Sequence, residues 1–325
     1  MRRGELNYSD EQLMDFLYQG YQIIASKLHF VEVGSFYGFI VATNTNQKYF
    51  LKVYPEDQSL VPIHPTIDSL NKTGIALNRF RSEFGMKNLS YMVSDIHGRY
   101  CFRTNKLILT LFDYIGGAHP SYSPNQLLAD KMAALLFQLH QIPTQTFSFF
   151  ETEQFDINYA LGIKDWINNA VEVIEETHAE IMLAQLERHK KQLLQGLSQL
   201  QEWQKKFSQK SLPFVLTHGD PHHYNVLQTP FDVWLVDWDG VKIAPIERDL
   251  WHYEQAPLTQ CYLKLNSKCS IDHELCRFYQ FQRFFEDSRY YLEQVLLGKN
   301  KTAQQSEEDK NTFLTHWGWT YCVLN

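Results

Sequence analysis

A chain of 325 residues, 44% hydrophobic and 21% charged, has the material for a large buried core, in two domains or one two-lobed unit, and lacks the composition of a disordered protein. The net charge of −7 is unevenly spread: residues 1–110 carry 12 Lys and Arg against 10 Asp and Glu, and the remainder carries 18 against 27. The larger part is therefore a poor partner for nucleic acid; its acidity reads either as a solvated surface or as carboxylates lining a cleft that would attract a cationic small molecule.

Met1-Arg2-Arg3 leads into the polar run Gly4–Gln12, with no apolar stretch of a secretory signal and no cleavage site. The hairpin expected next has Phe39–Ala42 and Tyr49–Tyr54 as its strands and Thr43–Lys48 as its polar turn. Pro65 suits a first helical position, Thr66–Thr73 continues the helix, and Gly74 suits its C-cap. Tyr100–Arg103 and Leu107–Phe112 predict two further strands; the second is the longest apolar run and is too short to span a bilayer.

After Gly116-Gly117 the character becomes helical. A pattern opening at Ser123-Pro124 places Leu128, Met132, Leu135, Leu136 and Leu139 on one face, with Pro143 beyond its end. Asp165–Phe207 predicts a second helical region, broken near Thr177-His178. Val215–Thr217, Asn225–Leu227 and Val233–Val236 are short strands around loops, and Glu247–Leu297 is helical and aromatic. Outside the termini, only the polar tract Gly298–Lys310 has the composition of a disordered segment. Five widely spaced cysteines without a C-x-x-C pair support neither a zinc site nor a disulfide framework, and the expectation is a cytoplasmic protein with no membrane partner.

The chemistry concentrates in Leu216–Leu227 and Val233–Gly240. His218, Asp220 and Asn225 fit H-x-D-x-x-x-x-N, and Asp237 follows at the end of an apolar strand. Phosphoryl transfer needs these residue types: one carboxylate to take or orient the proton of an attacking hydroxyl, and an amide oxygen with a second carboxylate to ligate the ions that bridge phosphate oxygens. Far upstream, Phe50-Leu51-Lys52-Val53 places a lysine inside an apolar strand, where a charge is costly unless paired.

This constellation resembles the catalytic core of the aminoglycoside phosphotransferase family, relatives of choline kinases and protein kinases. The similarity extends to Ala244–Leu250 and to Arg283-Phe-Phe-Glu-Asp287, and the segments around Trp238-Asp239 and Glu247-Arg248-Asp249 are nearest to the spectinomycin phosphotransferase branch. The resemblance implies an α+β, bilobal, protein-kinase-like fold: a small β-rich lobe over residues 1–115 with a hinge at its end, and a helical lobe over 116–325. It implies ATP and magnesium as cofactors, and a monomer acting on a small-molecule hydroxyl acceptor of cationic character, such as an aminoglycoside or aminocyclitol antibiotic. The alternatives are a kinase of a small metabolite (choline, an amino alcohol or a sugar) and a kinase-like nucleotide-binding protein with impaired activity.

By position, Asp220 resembles the catalytic base, Asn225 and Asp237 the magnesium ligands, and His218 the histidine that braces the catalytic loop. Lys52 resembles the lysine on the ATP phosphates, and Gly34 and Ser35 fall in a shortened phosphate-covering loop. Phe112, Tyr114 and Ile115 fall where the hinge would contact adenine. Asp239, Glu286 and Asp287 are candidates for the acceptor site, His222 and His223 read as loop and substrate-wall residues, and Asp249 as a structural brace. One departure stands out: the family pairs its lysine with a helix glutamate, and here the expected partner is Asp68.

Overall fold

The computed structural model describes residues 3, 6–32, 36–56, 65–104, 106–120, 125–169, 177–253, 257–297 and 302–323. Its first half runs α1 (Asp10–Tyr21), β1 (Ala25–Val31), β2 (Tyr37–Thr43), β3 (Lys48–Pro55), α2 (Ile67–Phe84), β4 (Met92–Val93), β5 (Phe102–Thr104), β6 (Leu107–Asp113) and α3 (Gln126–His140). Then come α4 (Asn158–Leu161), α5 (Lys164–Asn168), α6 (His178–Arg188), α7 (Lys190–Ser208), β7 (Val215–Thr217), β8 (Val226–Gln228), β9 (Val233–Leu235) and β10 (Lys242–Ala244). The chain closes with α8 (Glu247–Leu250), α9 (Pro257–Leu265), α10 (His273–Leu297) and α11 (Ala303–Leu314).

Two compact units result. The first comprises Met1–Glu151, Val215–Ile243 and Gln255–Ser267; the second comprises Thr152–Phe214, Ala244–Glu254 and Lys268–Asn325. The first unit thus takes in more than residues 1–115: the strands that carry the Asp220 and Asp237 motif fold with the N-terminal sheet.

In the first unit, β1, β2, β3, β6 and β4 form an antiparallel sheet in that order, with β5 also paired to β6. Successive strand residues point to opposite faces. On β3, Leu51 and Val53 pack with Phe39, Val41, Leu109 and Leu111 under Leu13, Phe16 and Leu17 of α1. Lys52 and Tyr54 therefore project from the other face. The signals for α1 are local: Ser9 and Gln12 make a reciprocal capping box, and the buried leucines and phenylalanine follow at helical spacing.

The hairpin of β2 and β3 forms as its sequence predicts. The helix after Pro65 is longer than expected. Thr66 caps it, but it runs through Gly74 to Phe84 and ends on Gly85, whose φ is 68°. Gly74 serves a close approach instead of a cap, since a Cβ there would run into the Tyr100 side chain. Two small ladders, β7 with β10 and β8 with β9, complete the strand content. His140 of α3 and the Tyr262 hydroxyl of α9 meet at 2.8 Å.

The second unit is helical. Ile163, Ile167, Met182, Leu186, Leu193, Leu197, Phe278, Phe284, Phe285 and Phe313 share one core. The break expected near Thr177-His178 is a helix start, with Thr177 capping α6 through a box with Glu180. The polar tract beyond residue 298 is helical from Ala303, capped by Thr302 and Gln305 and anchored by Phe313. Polarity there marks a solvated helix face. Among the described residues no helix is long and apolar enough to cross a membrane.

Candidate active site

The site is built from the inner face of β3 and from the β7–β9 segment, all within the first unit. Lys52 is 3% exposed. Its Nζ donates to Asp237 Oδ1 at 2.5 Å and to Asp239 Oδ2 at 3.3 Å. The rings of Phe36 and Phe112 lie 4.5 and 5.3 Å from the same ammonium, close enough for cation–π attraction. Burial alone would depress the Lys52 pKa, but the Asp237 and Asp239 carboxylates outweigh it and hold the value above that of an ordinary lysine. The lysine is charged.

The loop between β7 and β8 carries Asp220 on backbone geometry that Gly219 permits, with φ at 97°. His218 is fully buried and spends both ring nitrogens inside the loop. Nδ1 accepts from the Asp220 N–H at 3.3 Å, so the proton must sit on Nε2, which donates to the Val236 carbonyl at 3.0 Å. Asn225 completes the brace: its amide Nδ2 donates to the Asp220 carbonyl at 2.8 Å, and its own carbonyl accepts from the Val236 N–H at 3.0 Å. Val236 is thereby held on both sides, immediately before Asp237.

Asp237 itself adopts φ 65° and ψ 66°, a left-handed conformation uncommon for a residue with a side chain. Trp238 follows as a fully buried plug. Its ring packs edge-on to His218 at 4.6 Å and against Phe80 of α2 at 5.9 Å, while Nε1 donates to the Leu235 carbonyl. Packing on both sides over-determines the turn, which is how local strain persists. Around the loop mouth, His222 accepts the Tyr224 N–H at Nδ1, which leaves its Nε2 proton facing Asp220 Oδ2 at 3.3 Å. Burial and the neighbouring His222 and His119 hold His223 below the usual histidine range.

One ammonium shared by two carboxylates leaves an excess negative charge beside a partly exposed Asp237, and Asn225, whose side chain carries an amide oxygen, is tied by its backbone carbonyl to the Val236 N–H next to Asp237. That donor set suits a hard divalent cation. Among the described residues no three His, Cys, Asp or Glu side chains converge as a metal cage, and magnesium on a nucleotide needs none, since phosphates and water complete its shell.

Residues 34–254 match the model of the phosphotransferase enzyme family. The chain belongs to that family. It is a phosphotransferase. No curated protein matches it. Among solved structures, spectinomycin phosphotransferase in complex with ADP and spectinomycin has a TM-score of 0.77 at 18% identity, covering 96% of this chain and 95% of that one. A microcompartment-associated aminopropanol kinase has a TM-score of 0.63 at 13% identity, covering 94% of each chain. At these identities the likeness is one of fold, and the fold is the protein-kinase-like one expected.

In this phosphotransferase Asp68 is not the partner of Lys52. Its side chain is 75% exposed and pairs with Lys72 at 2.6 Å one turn along α2. The sequence distance was right for a helix, but the face was not. Gly34 and Ser35 lie outside the described residues. Phe112 flanks Lys52, whereas Tyr114 and Ile115 border a cleft of about 650 Å3 with Arg81, Lys87, Tyr91 and Trp234. None of Lys52, Asp220, Asn225 or Asp237 lines that cleft.

Glu286 and Asp287 lie on α10 in the second unit, where Asp287 accepts from Arg283 at 2.9 Å and meets His316 at 3.1 Å. Burial would raise the Asp287 carboxyl, but Arg283 and His316 hold it below the usual carboxylate range. Its carboxylate is committed to an internal brace, while Glu286 is half-buried. Asp249 is fully buried in the second unit. Two contributors were missed in the sequence. Tyr54 donates to Asp239 at 2.9 Å, two residues from Lys52 on the same strand face, and Trp238 sets the turn.

Proposed function

We propose that this phosphotransferase moves the γ-phosphoryl group of ATP, with magnesium, to a hydroxyl of a small cationic acceptor such as an aminoglycoside or aminocyclitol. The observation that carries the reading is the convergence of Lys52 and Asp237 with the braced loop of His218, Asp220 and Asn225.

Asp220 is held through its backbone on both sides and accepts or orients the proton of the acceptor hydroxyl. His222, with its proton facing Oδ2 of that carboxylate, steadies its orientation. Asn225 and Asp237 would hold magnesium, which when bound neutralises charge on the phosphate oxygens. Lys52 provides the matching positive charge for the phosphates, and the hinge segment Phe112–Ile115 is the candidate adenine contact. Gly34 and Ser35 remain candidates for the phosphate-covering loop. Glu286 is the proposed acceptor-wall carboxylate, consistent with the acidic balance of the larger part of the chain.

The test is a screen of hydroxylated amines with Mg-ATP, read as a mass gain of one phosphoryl group. The panel should include spectinomycin, aminoglycosides, choline, small amino alcohols and neutral sugars. Transfer to a cationic acceptor is expected. Transfer confined to neutral sugars would reject cation recognition, and ATP turnover with no acceptor in the panel would direct the search to another hydroxyl class.

A further inference from the structure

We infer that Asp239 is a positioning residue: the standing counter-ion of Lys52, held in that role by the Tyr54 hydroxyl, in place of any acid on α2. The inference rests on the nucleotide reading above and deepens it.

A buried ammonium needs a partner throughout the reaction cycle, because an unpaired charge in such a setting is strongly destabilising. Lys52 has two carboxylate partners, Asp237 and Asp239. The proposed function assigns Asp237 to the metal, and a carboxylate facing a divalent cation neutralises the ammonium far less. Another acid must then remain with Lys52.

Helix α2 offers none. Its only acidic residues are Asp68 and Glu83, which pair with Lys72 and Arg79. Glu56, just beyond the end of β3, pairs with Arg103. Among the described residues the remaining carboxylate in contact with Lys52 is Asp239.

Geometry supports a fixed role. Lys52 and Tyr54 are two apart on β3 and so share a face. Both donate to the same oxygen, Asp239 Oδ2, at 3.3 and 2.9 Å. Tyr54 is 2% exposed, packed with Phe36 at 5.7 Å and clustered with Leu70 of α2, so its hydroxyl cannot drift. The Asp239 oxygen is thus occupied by two donors from the sheet. That arrangement commits one Asp239 oxygen to the sheet and explains how the chain dispenses with an acid on α2.

The experiment is calorimetric titration of Mg-ADP into the wild-type chain, Asp239→Asn, Tyr54→Phe, Lys52→Met and the Lys52→Met/Asp239→Asn double variant. Asp239→Asn should weaken Mg-ADP roughly tenfold or more, as loss of a charged hydrogen bond implies. Tyr54→Phe should give a smaller loss in the same direction. In the Lys52→Met background, Asp239→Asn should change affinity less than about twofold, since its effect acts through the absent lysine. The double variant removes the lysine together with Asp239 and leaves only the partly exposed Asp237 carboxylate to solvent, so it and Tyr54→Phe carry the test if Asp239→Asn folds poorly. Wild-type affinity in both Asp239→Asn and Tyr54→Phe, or an undiminished Asp239→Asn effect without Lys52, overturns the inference. Failure of the wild-type chain to bind Mg-ADP overturns the nucleotide reading itself.

Discussion

Lys52 Nζ and Asp237 Oδ1 meet at 2.5 Å although 185 residues separate them in the chain. The contact joins the β3 face to the end of the β8–β9 ladder, and it engages a metal-ligand candidate. Asp237→Ala should therefore act twice. It leaves the buried lysine with Asp239 alone, lowering unfolding free energy by about 1–3 kcal/mol, and it removes the charged metal ligand, weakening Mg-ADP at least roughly tenfold. Urea unfolding and calorimetry read the two effects. Unchanged nucleotide affinity would move the metal elsewhere.

Asp220→Asn should lower turnover by roughly two to four orders of magnitude, the range of general-base catalysis. Affinity for Mg-ADP should stay near wild type, because the base acts on the acceptor. Single-turnover kinetics with an accepted substrate is the measurement. Retention of near-normal turnover would remove Asp220 from the mechanism.

His218→Phe keeps a ring against Trp238 but deletes both ring hydrogen bonds. The Val236 carbonyl and the Asp220 N–H would each lose a partner in a buried loop, at a cost of about 1–3 kcal/mol in unfolding free energy. Turnover should fall with it, since the base and the metal-ligand turn both hang on that imidazole. Wild-type stability together with wild-type turnover would show that water restores both bonds.

Gly74→Ala should destabilise the chain although alanine is the better helix former. The added methyl meets the Tyr100 side chain far inside contact distance, and overpacking of this kind costs about 1–3 kcal/mol. A Tm equal to or above wild type would mean that Tyr100 swings away freely.

Asp287 supplies a pH signature. Its folded pKa lies below the unfolded value of about 3.9. The brace is therefore fully present well above that value and is lost as pH falls through the folded pKa. Asp287→Asn should lower Tm near neutral pH, by about 2–4 °C for each kcal/mol lost. The gap to wild type should shrink toward zero in the acid range below the unfolded pKa. A gap that persists undiminished there would assign the stabilisation to packing.

Local chemistry was legible in the amino-acid order. Short β-branched and aromatic runs at 39–42 and 49–54 around a polar turn specified a hairpin, and the H-x-D-x-x-x-x-N spacing followed by a strand ending in Asp specified phosphoryl-transfer chemistry; both depend on neighbours in the chain. The helix α1 was not anticipated in the polar run that opens the chain, although Ser9, Gln12 and the leucines after them carry its signals locally. The end of α2 and the use of Gly74 were not written locally, because a glycine reads alike as a cap or as room for an aromatic ring until Tyr100, from another segment, is in place. Pairing was less accessible still. Asp68 sits at a plausible distance from Lys52 along the chain, yet it points to solvent and to Lys72. The lysine instead finds Asp237 and Asp239, which no local pattern connects to β3. The sequence by itself determined which groups could do chemistry and on what elements they stand. Only the tertiary structure decided which charges meet, because a buried charge takes the partners that packing brings within hydrogen-bond reach, whatever their separation in the chain.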